Sequence, residues 1–116
     1  MEVLEARRND VLVLALKGRL DAVSAPSVRN HLQERIDQGE RRFAVDAAGL
    51  TYISSSGLGL LLQVAKQLEA RSGRMVLCAL QEPVKRIFQI AGFTALFGIL
   101  SSSEEAIQDC KRVEGL

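Results

Sequence analysis

Two runs of six residues, Val11–Leu16 and Met75–Leu80, contain no polar side chain. Each is too short for most helices and reads as a strand with both faces buried. A strand dry on both faces belongs in a sheet covered on both sides, which is the usual condition of parallel sheets. The intervening sequence has the other period. Val28, Leu32 and Ile36 recur every four residues before Gly39. Leu58, Leu61, Ala65 and Leu68 form a second stripe, widened by Leu60, Leu62 and Val64 and closed by Gly73. Val84, Ile87, Phe88 and Ala91 form a third, followed by Gly92. These patterns predict helices near 24–38, 56–71, 83–91 and 103–113, and strands near 11–16, 43–47 and 75–80. A weaker strand over Val3–Ala6 is expected to form a hairpin through Asn9–Asp10, and a short last strand is expected over Phe97–Leu100. Ser24 reads as an N-cap with Pro26 in the first turn. Ser102 and Glu105 read as a capping box, with Ile107, Cys110 and Val113 facing inward. The alternation implies one α/β domain over residues 1–116, a small mixed, mostly parallel sheet with about four helices. Leu14, Val45, Leu61 and Leu77 are expected in its core.

Composition narrows the function. Fifteen Lys and Arg against 14 Asp and Glu leave a net charge of +1. Nucleic-acid binders usually carry a large basic excess, and base-stacking platforms need aromatic residues. This chain has one Tyr, four Phe and no Trp. No apolar stretch approaches the roughly 20 residues that span a bilayer, and the acidic start Met1–Glu5 lacks a signal-peptide core. A cytoplasmic domain with no membrane and no nucleic-acid partner is expected. Cys78 and Cys110 sit in apolar segments and read as buried thiols of a reducing compartment, although a disulfide stays open. Two cysteines and one histidine fit no zinc site, so no metal and no cofactor are expected.

The unusual segment is Asp46–Gly59, which contains Ser54-Ser55-Ser56-Gly57-Leu58-Gly59. It runs from a strand end through an expected loop into a helix start. Hydroxyls there meet unpaired backbone N–H groups and the positive end of a helix dipole. Such a place suits an anion or a serine that becomes phosphorylated. Gly57 and Gly59 remove side chains where another surface could approach the backbone. The plainer reading is one N-capping serine among small loop residues. Hydrolase chemistry has little support: the run is not the G-x-S-x-G elbow, and His31, the sole histidine, reads as a surface residue of the first helix. The P-loop pattern is absent as well. A second cluster, Lys17-Gly18-Arg19-Leu20-Asp21-Ala22, should share this sheet edge, with Asp21 either a turn-former or part of the site. Lys85-Arg86 reads as a solvated face.

Taken together, Gly18-Arg19-Leu20-Asp21, Ala25-Pro26, Ser54-Ser55-Ser56-Gly57-Leu58-Gly59, Val84-Lys85-Arg86-Ile87-Phe88 and Ala91-Gly92-Phe93 resemble the STAS domain of bacterial anti-sigma factor antagonists over nearly the whole chain. The resemblance implies a small mixed sheet with an antiparallel first strand. It also implies a job: binding an anti-sigma factor that is itself a serine kinase, and so freeing a sigma factor. The kinase then phosphorylates a serine at the start of the second helix, affinity is lost, and a phosphatase resets the switch. The family motif usually reads Asp-Ser-Ser/Thr-Gly with the phosphorylated residue directly after the Asp. Ser55 holds that position here, and Ser54 stands in place of the Asp. The implied phosphorylation site is therefore Ser55, and the implied partner surface is Asp21, Ser54, Ser55, Ser56, Gly57 and Leu58. Two other readings stay open: a non-phosphorylated STAS subunit of a structural or signalling complex, and a small hydrolase or nucleotide binder using the serines as an anion site.

Overall fold

A computed structural model of the chain describes residues 1–94 and 97–112. Strand β1 (Glu2–Arg8) turns at Asn9, in the left-handed region at φ 59°, into β2 (Val11–Leu20), and the two pair antiparallel with Arg8 opposite Val11. Then follow α1 (Ala25–Asp37), β3 (Arg42–Ile53), α2 (Ser55–Ala70), β4 (Arg74–Cys78), α3 (Glu82–Ile90), β5 (Gly98–Leu100) and α4 (Ser103–Arg112). The sheet order is β1-β2-β3-β4-β5, and every pair after the first is parallel. This is the mixed, mostly parallel α/β sheet expected from the alternation of apolar runs and amphipathic stripes.

Side-chain alternation along the strands sorts the helices into two layers. Leu12, Leu14 and Leu16 of β2, Phe43, Val45 and Ala47 of β3, and Met75 and Leu77 of β4 share a core with α1, α2 and α3. That core takes up Val28, Leu32 and Ile36, then Leu58, Leu61, Ala65 and Leu68, then Val84 and Phe88. The interleaved residues Val11, Ala44, Val76 and Cys78 point the other way and meet Ala106, Ile107 and Cys110 of α4. Leu14, Val45, Leu61 and Leu77 are all at most 1% exposed.

Several boundaries differ from expectation for identifiable reasons. β3 does not end at Ala47 but runs on to Ile53, so the expected loop before the serines is strand. β2 likewise continues past Leu16 to Leu20. The two stay paired through register shifts between Ala15 and Lys17 and between Gly18 and Arg19, with Gly18 at φ +111°. Such irregularities displace the two-residue alternation, so Ala47, Leu50 and Ile53 are buried at intervals of three. β4 stops at Cys78 because Ala79 turns to φ 60° and gives its N–H to the Leu100 carbonyl at 3.1 Å. On α3, Ala91 is exposed rather than inward. The expected inward position of Val113 lies outside the described residues.

Candidate functional site

Two strand-to-helix junctions lie side by side at the carboxyl ends of β2 and β3. Leu20 pairs with Ile53, and the Ser54 N–H donates to the Leu20 carbonyl at 2.9 Å. The first junction, Asp21–Ser24, is closed on itself. One Asp21 carboxylate oxygen accepts from the N–H groups of Val23 and Ser24, both at 3.1 Å. The Ser24 hydroxyl accepts from the Asp21 N–H at 3.0 Å and donates to the Arg19 carbonyl at 2.7 Å. Ser24 therefore occupies the N-cap position of α1 without capping it by its side chain, a correction to the sequence reading: its hydroxyl serves the turn instead. The hydrogen bond from the Ser24 backbone, aided by that from Val23, outweighs desolvation and holds the Asp21 carboxyl below the usual aspartate range. The other Asp21 oxygen lies 3.8 Å from Arg19 Nε, and the Arg19 guanidinium stacks over the Tyr52 ring at 4.3 Å.

The second junction divides its three serines. Ser54 is extended, at φ −96° and ψ 175°, and its hydroxyl accepts from the Gly57 N–H at 3.3 Å. It is the N-cap of α2, and its hydroxyl is occupied by that role. Ser55 and Ser56 are the first residues of the helix, and both are exposed. The first turn carries no acidic residue, so the positive end of the helix has no carboxylate partner there.

Gly57 turns away from solvent, against its expected place on the partner surface, and Leu58 is nearly buried, reaching the surface only where it lines a groove beside Ser55. A Cβ on Gly57 would stand 2.8 Å from the Ile53 side chain and 2.9 Å from Leu20. The missing side chain makes room for this chain's own strand ends, not for another surface. Leu58 is 4% exposed and belongs to the main core. Gly59 is the glycine with open space: a Cβ there would meet nothing within 4 Å. Of the six residues named from sequence, the fold thus brings Asp21, Ser54, Ser55 and Ser56 to one edge, puts Gly57 beneath it, and leaves Leu58 nearly buried in the lining of the groove beside Ser55. The sequence reading gave no role to the Arg19–Tyr52 pair. Its only signal was two bulky polar residues flanking strand ends whose register a bulge had shifted.

Other chemistry-bearing groups lie elsewhere. His31 hydrogen-bonds Glu5 of β1, which also accepts from Arg35 Nε at 2.7 Å. Burial raises the Glu5 pKa, but the hydrogen bonds from His31 and Arg35 prevail and hold it below the usual range. His31 is therefore engaged with β1 rather than with the serines. Cys78 and Cys110 are free and buried. Desolvation pushes their pKa values up to about 12 and about 11, which leaves both thiols protonated at neutral pH. Among the described residues no group of three or more His, Cys, Asp or Glu is placed to hold a metal ion. None of the described helices is long and apolar enough to cross a membrane.

Comparison with known proteins gives a consistent result. The family model described as the STAS domain matches residues 3–106. A Bordetella bronchiseptica protein named as an anti-sigma factor antagonist, BtrV, is 37% identical over 106 residues, which is 91% of each chain. The anti-sigma factor antagonist SpoIIAA in its unphosphorylated form superposes with a TM-score of 0.81 at 28% identity, covering 99% of this chain and 98% of that one. Bacillus SpoIIAA in its phosphorylated form superposes with a TM-score of 0.72 at 26% identity, covering 93% and 98%.

Proposed function

Because the chain belongs to the STAS domain family, we propose that it is an anti-sigma factor antagonist, a regulator that acts by binding and is switched by phosphorylation of Ser55. It binds an anti-sigma factor in the cytoplasm and so releases a sigma factor. That anti-sigma factor is also the serine kinase, and a phosphatase reverses the modification. The observation that carries the assignment is the division of labour at the start of α2: Ser54 is occupied as the cap while Ser55 and Ser56 are exposed, and of these two Ser55 holds the position of the family motif's phosphorylated residue. The existence of SpoIIAA in phosphorylated and unphosphorylated forms supports a switch in this family.

Ser55 Oγ attacks the γ-phosphorus of ATP, the bond to the β-phosphate oxygen breaks, ADP leaves, and the hydroxyl proton is lost to a base of the kinase. The product carries about −1.5 to −2 charges at neutral pH. At a helix N-terminus that charge is compatible with the fold. Inside a closed protein interface, without a matching cation, it is not. A loss of about 3 kcal/mol already exceeds a hundredfold in affinity.

The neutral Ser54 in the place of the usual Asp favours one competing reading, a STAS subunit that contacts its partner permanently and is not phosphorylated. Intact-mass measurement after incubation with the cognate anti-sigma kinase and ATP separates them. The switch predicts a gain of one phosphoryl group, mapped to Ser55 and absent from Ser55→Ala. It also predicts that Ser55→Asp binds the kinase at least a hundredfold more weakly than wild type. No mass gain, or a phosphate on another residue, overturns it.

A further inference from the structure

Among the described residues, the large apolar side chains left exposed are Met1, Leu4, Val23 and Ile90, and the last two stand out at 89% and 80% exposure. Val23 belongs to the Asp21–Ser24 turn beside the serines. Ile90 ends α3 on the side opposite its packing stripe: Val84 and Phe88 are buried, whereas Ile90 lies two residues beyond Phe88 and turns outward. Nothing in the fold requires an isoleucine there.

Ile90 forms one wall of an open groove of about 330 Å³ between the start of α2 and the end of α3. Tyr52, Ser55, Leu58, Ile87 and Ala91 line the rest of it together with Ile53 and Ser54, and no residue lining it is charged. Ser55 is thus part of the groove. A kinase that brings its active centre to Ser55 must lay its own surface across this opening.

We infer that the groove seats an apolar side chain, of the leucine, isoleucine or phenylalanine class, from the anti-sigma kinase that phosphorylates Ser55. This rests on the switch reading above and deepens it. The uncharged lining selects an apolar occupant over a charged one, since a buried charge needs a partner there. A few side chains seated in well-packed, desolvated pockets near the middle of an interface carry most of the binding energy in protein complexes. The arrangement also explains how one modification unseats the partner. A phosphoryl dianion on Ser55 Oγ stands on the wall of the groove, and an apolar side chain seated there would strip its water without offering a hydrogen bond.

The test is titration calorimetry of the purified cognate kinase against wild type, Ser55→Asp, Ile90→Asp, Ile90→Leu and, as a charge control on the exposed face of α2, Gln63→Asp. Each chain is first checked for its native circular dichroism and for its mass in sedimentation equilibrium. The groove predicts that Ile90→Asp binds about 30-fold more weakly or worse, Ile90→Leu within about threefold of wild type, and Gln63→Asp unchanged. If Ser55→Asp weakens binding while Ile90→Asp binds like wild type, the groove assignment is wrong and the switch stands. If Ser55→Asp binds like wild type, the switch reading falls and the inference with it. If wild type is a dimer that Ile90→Asp converts to a monomer, the occupant is a second copy of this chain, and the kinase assignment is overturned.

Discussion

The junctions that follow β2 and β3 are neighbours joined by a backbone hydrogen bond, and both carry serines at the start of a helix, yet they treat their hydroxyls oppositely. After β2, Asp21 and Ser24 satisfy each other and the Arg19 carbonyl, so the turn keeps its polar groups for itself. After β3, a single serine closes the cap and two are left facing solvent. Residue type alone does not distinguish a structural serine from an available one. What distinguishes them is the count of backbone donors and acceptors that the local geometry leaves open. At α2 the side-chain cap is made by Ser54 alone, because Ser54 is extended and its oxygen reaches forward to the Gly57 N–H. Ser24 is already helical, so its oxygen points into the turn instead.

The comparison can be broken most severely at the residue the two junctions share. Leu20 is fully buried, and its carbonyl receives Ser54. Leu20→Ala should destabilise the fold by about 2–5 kcal/mol, read by urea unfolding, and an unchanged midpoint would show that the two ends do not lean on each other. Next is Gly57→Ala, whose new methyl would press on Leu20 and Ile53 at under 3 Å. Overpacking of this kind costs about 1–3 kcal/mol. The same substitution at Gly59, where space is open, should be neutral or stabilising by up to about 1 kcal/mol. The caps sharpen the contrast directly. Ser54→Ala should lose about 1 kcal/mol, whereas Ser55→Ala and Ser56→Ala should stay within about 0.5 kcal/mol of wild type. Equal losses at Ser54 and Ser55 would remove the division of labour.

The smallest effect is a pH dependence. The Asp21 pKa is lowered on folding, so the unfolded chain binds its proton more readily than the native one. Its contribution is present above the usual aspartate pKa of about 3.9 and fades as pH falls through the lower native value. Urea midpoints at pH 7 and pH 3 should therefore differ less for Asp21→Asn than for wild type.

The helices were legible in the sequence because each is held by a stripe that no other period explains. Val28, Leu32 and Ile36 are all at most 2% exposed, as the four-residue spacing requires. The buried strands were legible for the same reason: Val11–Leu16 and Met75–Cys78 are apolar on both sides because the sheet is covered on both sides. The end of β3 was not. From Asp46 to Ile53 the burial interval is set by bulges shared with β2, and no single strand records its partner's register. The site was half legible. The serine run marked the helix start, and Ser55 emerged beside the cap as expected. The inward role of Leu58 was already marked by its place on the second apolar stripe, but that of Gly57 was hidden, because whether a small residue opens a surface or fills a tight seam depends on Leu20, 37 positions earlier in the chain.

The order of strands across the sheet is also the order in which they are synthesised. Every strand after β1 therefore finds its first neighbour already made when it leaves the ribosome. The β1–β2 hairpin is the most local of these pairings, and loop closure is least costly for such short separations. Growth then proceeds from one edge only. Both junctions, the capped start of α2 and the exposed serines are complete once β2, β3 and α2 have docked, and the groove beside Ser55 once α3 has joined them, before β5 or α4 is needed. The chain can thus assemble its recognition edge first and close the opposite face of the sheet last.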